Sequence, residues 1–197
     1  MDIDPYRKTE HYIDELFVKR WSPRAMSGEQ IEMETLMTLF EAARWAPSSN
    51  NNQPWRFLFA RRETELWPLF FDLLTESNRI WAYRAAVLIV VVSKTTFDLN
   101  DKPSRTHTFD TGAAWENLAL QGALKGLVVH GMQGFDYDRA KVTLRIPDGY
   151  QVEAMIAIGR HGLKEELPEH LREREFPSDR KELADVIAEG SFPWPRQ

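Results

Sequence analysis

The chain of 197 residues predicts one α+β or α/β domain built around about four strands. The segment VLIVVVS at 87–93 is β-branched and apolar on both faces, which suits an inner strand with helices on each side. Apolar residues at helical spacing before and after it mark helices long enough to provide that cover. Hydrophobic residues make up 43% of the chain, enough for one ordinary core, and no repeat or low-complexity segment breaks it.

The elements follow in order. Ser27, with Gln30 three residues on, has the form of a capping box, each side chain placed to satisfy the other's free backbone N–H. Ile31, Leu36, Leu39, Phe40 and Ala43 then recur at helical spacing, and Pro47 biases Ala46 out of the helical region, so this helix ends near Trp45. WRFLFA at 55–60 reads as a buried strand. A helix follows through LWPLFFDLL, with Pro68 in its first turn. After the inner strand, residues 95–108 are polar and irregular, a surface loop where a lid contribution is to be sought.

Residues 110–125 form a mostly apolar helix whose Gly112, Ala113, Ala114, Gly122 and Ala123 invite close approach by another backbone. A short strand at 127–130, a helix near 137–144, a strand at 153–159 and a charged helix around 168–175 complete the pattern. The last twenty residues end in FPWPRQ, an aromatic, proline-rich tail suited to packing on a partner subunit.

Composition removes several classes of function. A net charge of −5 argues against nucleic-acid binding. With no cysteine, disulfides, iron–sulfur clusters, thiolate zinc sites and cysteine nucleophiles are excluded. The start, MDIDPYRKTEHY, lacks the apolar stretch of a signal peptide, and AAVLIVVV at 85–92 is too short to span a bilayer. The expectation is a cytoplasmic single-domain protein with no membrane or nucleic-acid partner. There is no G-x-G-x-x-G for a dinucleotide and no G-x-S-x-G elbow, and the five histidines show no metal spacing. Chemistry in such a chain has to come from a bound cofactor.

Three segments supply groups for one. In RWSPR (20–24), Arg20, Ser22 and Arg24 alternate, so in an extended segment they share one side and suit a phosphate dianion. A solvated basic turn is the alternative. WAPSSNNNQPWRF (45–57) sets a cluster of amides and hydroxyls between Trp45 and Trp55; it reads either as an elaborate helix terminus or as a loop that meets a planar, heteroatom-rich ligand. HGMQGFD (130–136) places two glycines three apart after a strand, for a tight turn or a close approach to a ligand. His130 reads as a core or edge histidine.

Taken in order, these segments resemble the FMN-dependent nitroreductase family. The resemblance runs through RWSPRAMS, AARWAPSSNNNQPWRFLF, SNRIWAYRAAVLIVVVSKT, DTGAAWENLALQGALKGLVVHGMQGFD and IPDGYQVEAMIAIGR. It implies an α+β fold with a central mixed, mainly antiparallel sheet of about four to five strands flanked by helices. It also implies a homodimer, with a segment of about 176–197 packing on the partner subunit. The implied activity is an NADH- or NADPH-dependent oxidoreductase that passes hydride through FMN, by a ping-pong route, to a nitroaromatic, a quinone or another small acceptor. A specialised flavin enzyme of the same fold (a reductive dehalogenase or a flavin-destroying type) and a non-catalytic FMN-binding or sensing protein are the alternatives.

The family's motifs assign residues in the same way. Arg20, Ser22 and Arg24 correspond to the element that holds the FMN phosphate and ribityl chain. Pro47, Ser48, Ser49, Asn50 and Gln53 correspond to a loop that usually reaches the neighbouring subunit's flavin, with Asn50 the asparagine expected in contact. Asn78 corresponds to a position at the flavin ring edge, Gln133 and Gly134 to backbone near its redox-active nitrogen, and Arg160 and Arg180 to basic residues near the phosphate. Trp21 stands where a second arginine is more usual, and Glu182–Leu183 replace the proline–leucine that usually follows the last arginine. Trp81, Tyr83 and Phe97 are candidates to line the open flavin face.

Overall fold

The computed structural model describes residues 5–194. Its centre is a four-stranded sheet of β1 (Trp55–Arg61), β2 (Val87–Lys94), β3 (Leu127–Met132) and β4 (Tyr150–Arg160) in the order β1-β2-β4-β3. Every neighbouring pair is antiparallel, so the sheet carries no parallel pairing. The helices are α1 (Glu15–Lys19), α2 (Met33–Arg44), α3 (Trp67–Phe71), α4 (Glu76–Ala82), α5 (His107–Leu124), α6 (Tyr137–Thr143) and α7 (Glu169–Arg172). Among the described residues, no helix is long and apolar enough to cross a membrane.

The inner-strand reading of 87–93 holds. Along β2, Leu88, Val90 and Val92 pack into one core layer with Trp81, Leu73 and Met155. Val87, Ile89 and Val91 pack into the other, with Leu36, Leu39, Ala114 and Leu118 from α2 and α5. Both faces are covered although the sheet is antiparallel, and this is why β2 lacks the polar alternation of a half-solvated strand. On α5, Gly122 meets the sheet so closely that a Cβ would lie 2.4 Å from Val129 Cγ2. The register shifts between Val91 and Val92, opposite Glu153, whose carboxylate accepts from Ser93 Oγ. Ser93 Oγ also lies 2.7 Å from His107 Nδ1, which closes the start of α5 onto the sheet.

Several local expectations are corrected. Ser27 and Gln30 make no capping box: Ser27 Oγ accepts from Glu29 N–H, Gln30 reaches Glu63, and α2 begins later, after Glu32. The competing interaction is a strand contact, because Ser27 N–H donates to the Arg160 carbonyl at 3.0 Å beside the Met26–His161 bridge. Trp45 does not anchor the 45–57 segment. It is 72% exposed and its indole donates to Glu41, whereas Trp55 is buried at 7%. Helices α1 and α4 had no counterpart in the sequence reading, α5 starts inside the expected loop, and α7 is shorter than expected. The closing residues 195–197 of the aromatic tail lie outside the described residues.

Candidate functional site

A cavity of about 410 Å³ opens where the segment after α1 meets β3 and the C-terminal segment. Arg7, Arg20, Arg24, Arg174 and Arg180 line it together with Ser22 and His130, and no carboxylate does among the described residues. The alternation in RWSPR works as expected: Arg20 Nη1 donates to Ser22 Oγ at 3.4 Å, so the two side chains share one side of the strand-like segment. Glu175, buried at 4%, fixes the same segment from behind by accepting from the backbone N–H groups of Arg24 (2.7 Å) and Ala25 (2.8 Å). Arg7 staples the parts together. Its guanidinium donates to the carbonyls of Val18 and Arg20 and, at 3.0 Å, of Ser178.

The cations face one another across the cavity, and among the described residues only Arg24 has a buried carboxylate close by, Glu175 at 3.7 Å behind the segment. Burial pushes the Arg20 guanidinium below its ordinary proton affinity, with Glu116 opposing and Arg180 adding to the effect. Burial does the same for Arg7, reinforced by Arg180 and Arg20. The nearest carboxylate to Arg20, Glu116, stands at 4.0 Å. Such a cluster is poised for a polyvalent anion, since each guanidinium offers a rigid fork of donors that stays charged. His130 stays neutral beside it: burial pushes its imidazole down to about 4, and nearby Arg24 and Arg20 add to this. Its Nδ1 lies 2.9 Å from the Pro23 carbonyl, which can only accept, so the proton sits on Nδ1.

A second group lies at the end of β3. The Gly134 carbonyl accepts from Thr75 N–H (3.0 Å), Thr75 Oγ1 (2.9 Å) and Asn78 Nδ2 (3.0 Å). Asn78 Oδ1 accepts in turn from Trp81 Nε1 at 3.3 Å, and the Trp81 ring packs 4.6 Å from that of His130. Asn78, Trp81 and His130 thus run as a line of contacts from Gly134 to the arginine cavity. Trp81 is a core residue, 2% exposed, and lines no open face; Tyr83 is half exposed. Gln133 is exposed and its carbonyl accepts from Phe135 N–H, closing a tight turn.

The 47–53 loop sits apart from the arginine cavity, none of whose walls it forms. Ser48 Oγ accepts from Gln53 N–H at 3.0 Å, and Ser49 N–H donates to buried Asp110 on α5. Asn50, Asn51 and Gln53 all have positive φ, at 52°, 52° and 47°. Three non-glycine residues in the left-handed region within four positions store backbone strain of the kind found at ligand contacts. The asparagines divide their work. Asn52 clamps the 95–103 loop through Thr96 O and Asp98 N–H, whereas Asn50 is exposed with one long contact, 3.4 Å to Ser49 Oγ. Pro47 is exposed at the loop's start. Arg160 is also apart: it is exposed, pairs with Glu29 at 3.5 Å and does not line the cavity.

The cation cradle, the glycine turn and the strained amide loop on this sheet agree with one family. Residues 17–160 match the model of the Nitroreductase family. The chain belongs to the nitroreductase family. A solved oxidoreductase containing FMN is 49% identical to this nitroreductase-family chain, with a TM-score of 0.91 over 95% of this chain and 96% of that one. A protein from Desulfovibrio desulfuricans solved in complex with FMN is 26% identical, with a TM-score of 0.70 over 94% and 100% of the two chains. An uncharacterized 15.4 kDa protein of Mycolicibacterium smegmatis is 30% identical over 146 residues, 70% of this chain and 97% of its own.

Three residues of the nitroreductase cavity escaped sequence reading as functional groups: Arg7, Arg174 and His130. Arg7 and Arg174 stand alone in charged stretches with no motif around them, and only the fold brings the two chain ends to the cavity. His130 carried a weak signal, its place directly before the glycine-rich turn.

Proposed function

We propose that this nitroreductase-family chain is a flavin oxidoreductase that binds FMN, takes a hydride from NADH or NADPH, and passes the electrons to a small acceptor such as a nitroaromatic or a quinone. The observation that carries the reading is the five-arginine cavity without a carboxylate. A flavin phosphate is a dianion, and Arg20, Arg24, Arg174 and Arg180 with the Ser22 hydroxyl supply the donors it needs. At the end of β3 the Gly134 N–H has no acceptor among the described residues and is left for the remainder of the group. A Cβ at Gly134 would stand 2.6 Å from Asn78 Nδ2, so this turn can pack so closely on Asn78 only with glycine there.

Bound FMN would supply a planar ring able to accept a hydride and give it up again. The chain's own groups would bind and orient it: arginines at the phosphate, amides and backbone N–H groups at the ring edge. With one face left open, a nicotinamide and then the acceptor use the same place in turn, which makes a separate dinucleotide domain unnecessary. Asn50 and Gln53 serve ring or substrate contacts better in a second copy than in their own, because their loop lies away from the cavity. A homodimer is further supported by the two ends of α5, where Phe109 (79% exposed) and Leu124 (66% exposed) leave large apolar side chains uncovered. The 176–194 segment, with Val186, Ile187 and Phe192 exposed, suits the same partner.

The test is titration of flavin-free protein with FMN and with riboflavin, which lacks the phosphate. Binding of FMN at least about a hundredfold tighter than riboflavin is expected from two or more charge-assisted contacts. Equal affinity for the two, or no binding of either, contradicts the reading.

A further inference from the structure

We propose that Thr75 and Asn78 are positioning residues, which lock the Gly134 peptide so that its backbone presents a fixed face to the flavin ring. This rests on the FMN reading above and assigns Asn78 a different role from a direct contact at the ring edge. The geometry is specific. One carbonyl oxygen, that of Gly134, takes three donors, and two of them belong to Thr75. A carbonyl has two lone pairs, so three donors converging on it leave the peptide almost no freedom to rotate.

Asn78 has both ends of its amide engaged inside the protein, Nδ2 on Gly134 O and Oδ1 on Trp81 Nε1. Trp81 is core, so it fixes the Asn78 rotamer, and its ring rests on His130 at the arginine cavity. The Phe135 N–H folds back to the Gln133 carbonyl, while the Gly134 N–H has no acceptor among the described residues. The Gly134 N–H lies in the neighbouring Gln133–Gly134 peptide, whose carbonyl is tied to the Phe135 N–H of the locked peptide, so this half-buried donor without a partner is held through that turn and is pre-organised for a ligand. A fixed N–H dipole beside a ring that gains negative charge on reduction stabilises the reduced form, and does so at no reorganisation cost.

The experiment compares Thr75→Val, Thr75→Ser and Asn78→Leu with the wild type, each loaded with FMN. It reads FMN affinity, the midpoint potential of bound flavin, and the melting temperature. Thr75→Val removes one donor to Gly134 O and leaves the arginine cavity untouched. We expect its FMN affinity to stay within about threefold of wild type and its potential to move to more negative values. Thr75→Ser keeps the hydroxyl and should restore the wild-type potential. Asn78→Leu should move the potential in the same direction as Thr75→Val. A Thr75→Val protein that melts lower but holds flavin at the wild-type potential overturns the positioning role. So does an Asn78→Leu protein that loses FMN while Thr75→Val changes nothing, since that is the pattern of a direct contact. Wild-type protein that takes up no FMN fails at an earlier point, and it overturns the cofactor reading itself.

Discussion

Asp110, buried in the first turn of α5, accepts the backbone N–H of Ser49 at 3.0 Å, and this bond ties the strained 47–53 loop to the longest helix of the fold. Thr106 Oγ1 donates to the same oxygen at 3.3 Å, and a carboxylate at a helix start is favoured by the helix dipole. Replacing Asp110 by Ala removes the side-chain acceptor and leaves the Ser49 N–H without a partner. The expected cost is about 1–3 kcal/mol of folding stability, measured by urea denaturation. A larger effect should appear in proteolysis of the loop, since Asp110 is its tie to α5, whereas the bonds of Arg56 and Ser48 with Gln53 hold only its far end.

Arg20 stands in the cavity between Ser22, Glu116 and the other guanidinium groups, with only one long hydrogen bond of its own, so its donors are free for an anion. Arg20→Ala should weaken FMN binding by about ten- to a hundredfold, the worth of one charge-assisted contact. Calorimetric titration measures it. Arg160→Ala, at a residue that lines no part of the cavity, should leave the affinity nearly unchanged.

His130 sets an acid limit on stability. Its proton affinity falls from an ordinary 6.5 to about 4 in the folded state, chiefly because the ring is buried. The unfolded chain therefore takes up a proton before the folded one does. The neutral form's contribution is fully present above pH 6.5 and is lost as pH falls from there towards 4. Between about pH 7 and about pH 5 the loss should be about 2 kcal/mol. A His130→Gln variant should show a flatter profile over that window, read from denaturation midpoints at each pH.

Gly122 is required by packing rather than by backbone conformation. Alanine would favour the helix by about 1 kcal/mol, yet its Cβ would meet Val129 Cγ2 at 2.4 Å. Valine is stiff at χ1, and this one is buried in the sheet, so the clash should win and Gly122→Ala should destabilise by about 1–3 kcal/mol. Adding Val129→Ala should recover part of the loss, which a double-mutant cycle measures.

Legibility of the sequence varied with the physics behind each feature. The unbroken apolar run of β2 could only be an inner strand, and Pro68 could only open a helix, as both do. The site was legible where side chains act through their own sequence neighbours, as Arg20 and Ser22 do. It was not legible where distant segments converge: Arg7 and Arg174 join the cavity from opposite ends of the chain. Local rules failed where a tertiary contact competed. Ser27 obeyed the Arg160 carbonyl rather than a capping pattern, and Trp45 turned outward to Glu41. Asn78 could be singled out in the sequence, but which atoms it engages depends on Trp81 and Gly134, which no spacing reveals.

Anaerobic stopped-flow reduction of the FMN-loaded protein decides whether the chain uses bound flavin for hydride transfer. NADH or NADPH should bleach the flavin absorbance, and a quinone or nitroaromatic should then restore it. Flavin that binds tightly but stays oxidised with both nicotinamides would contradict that use.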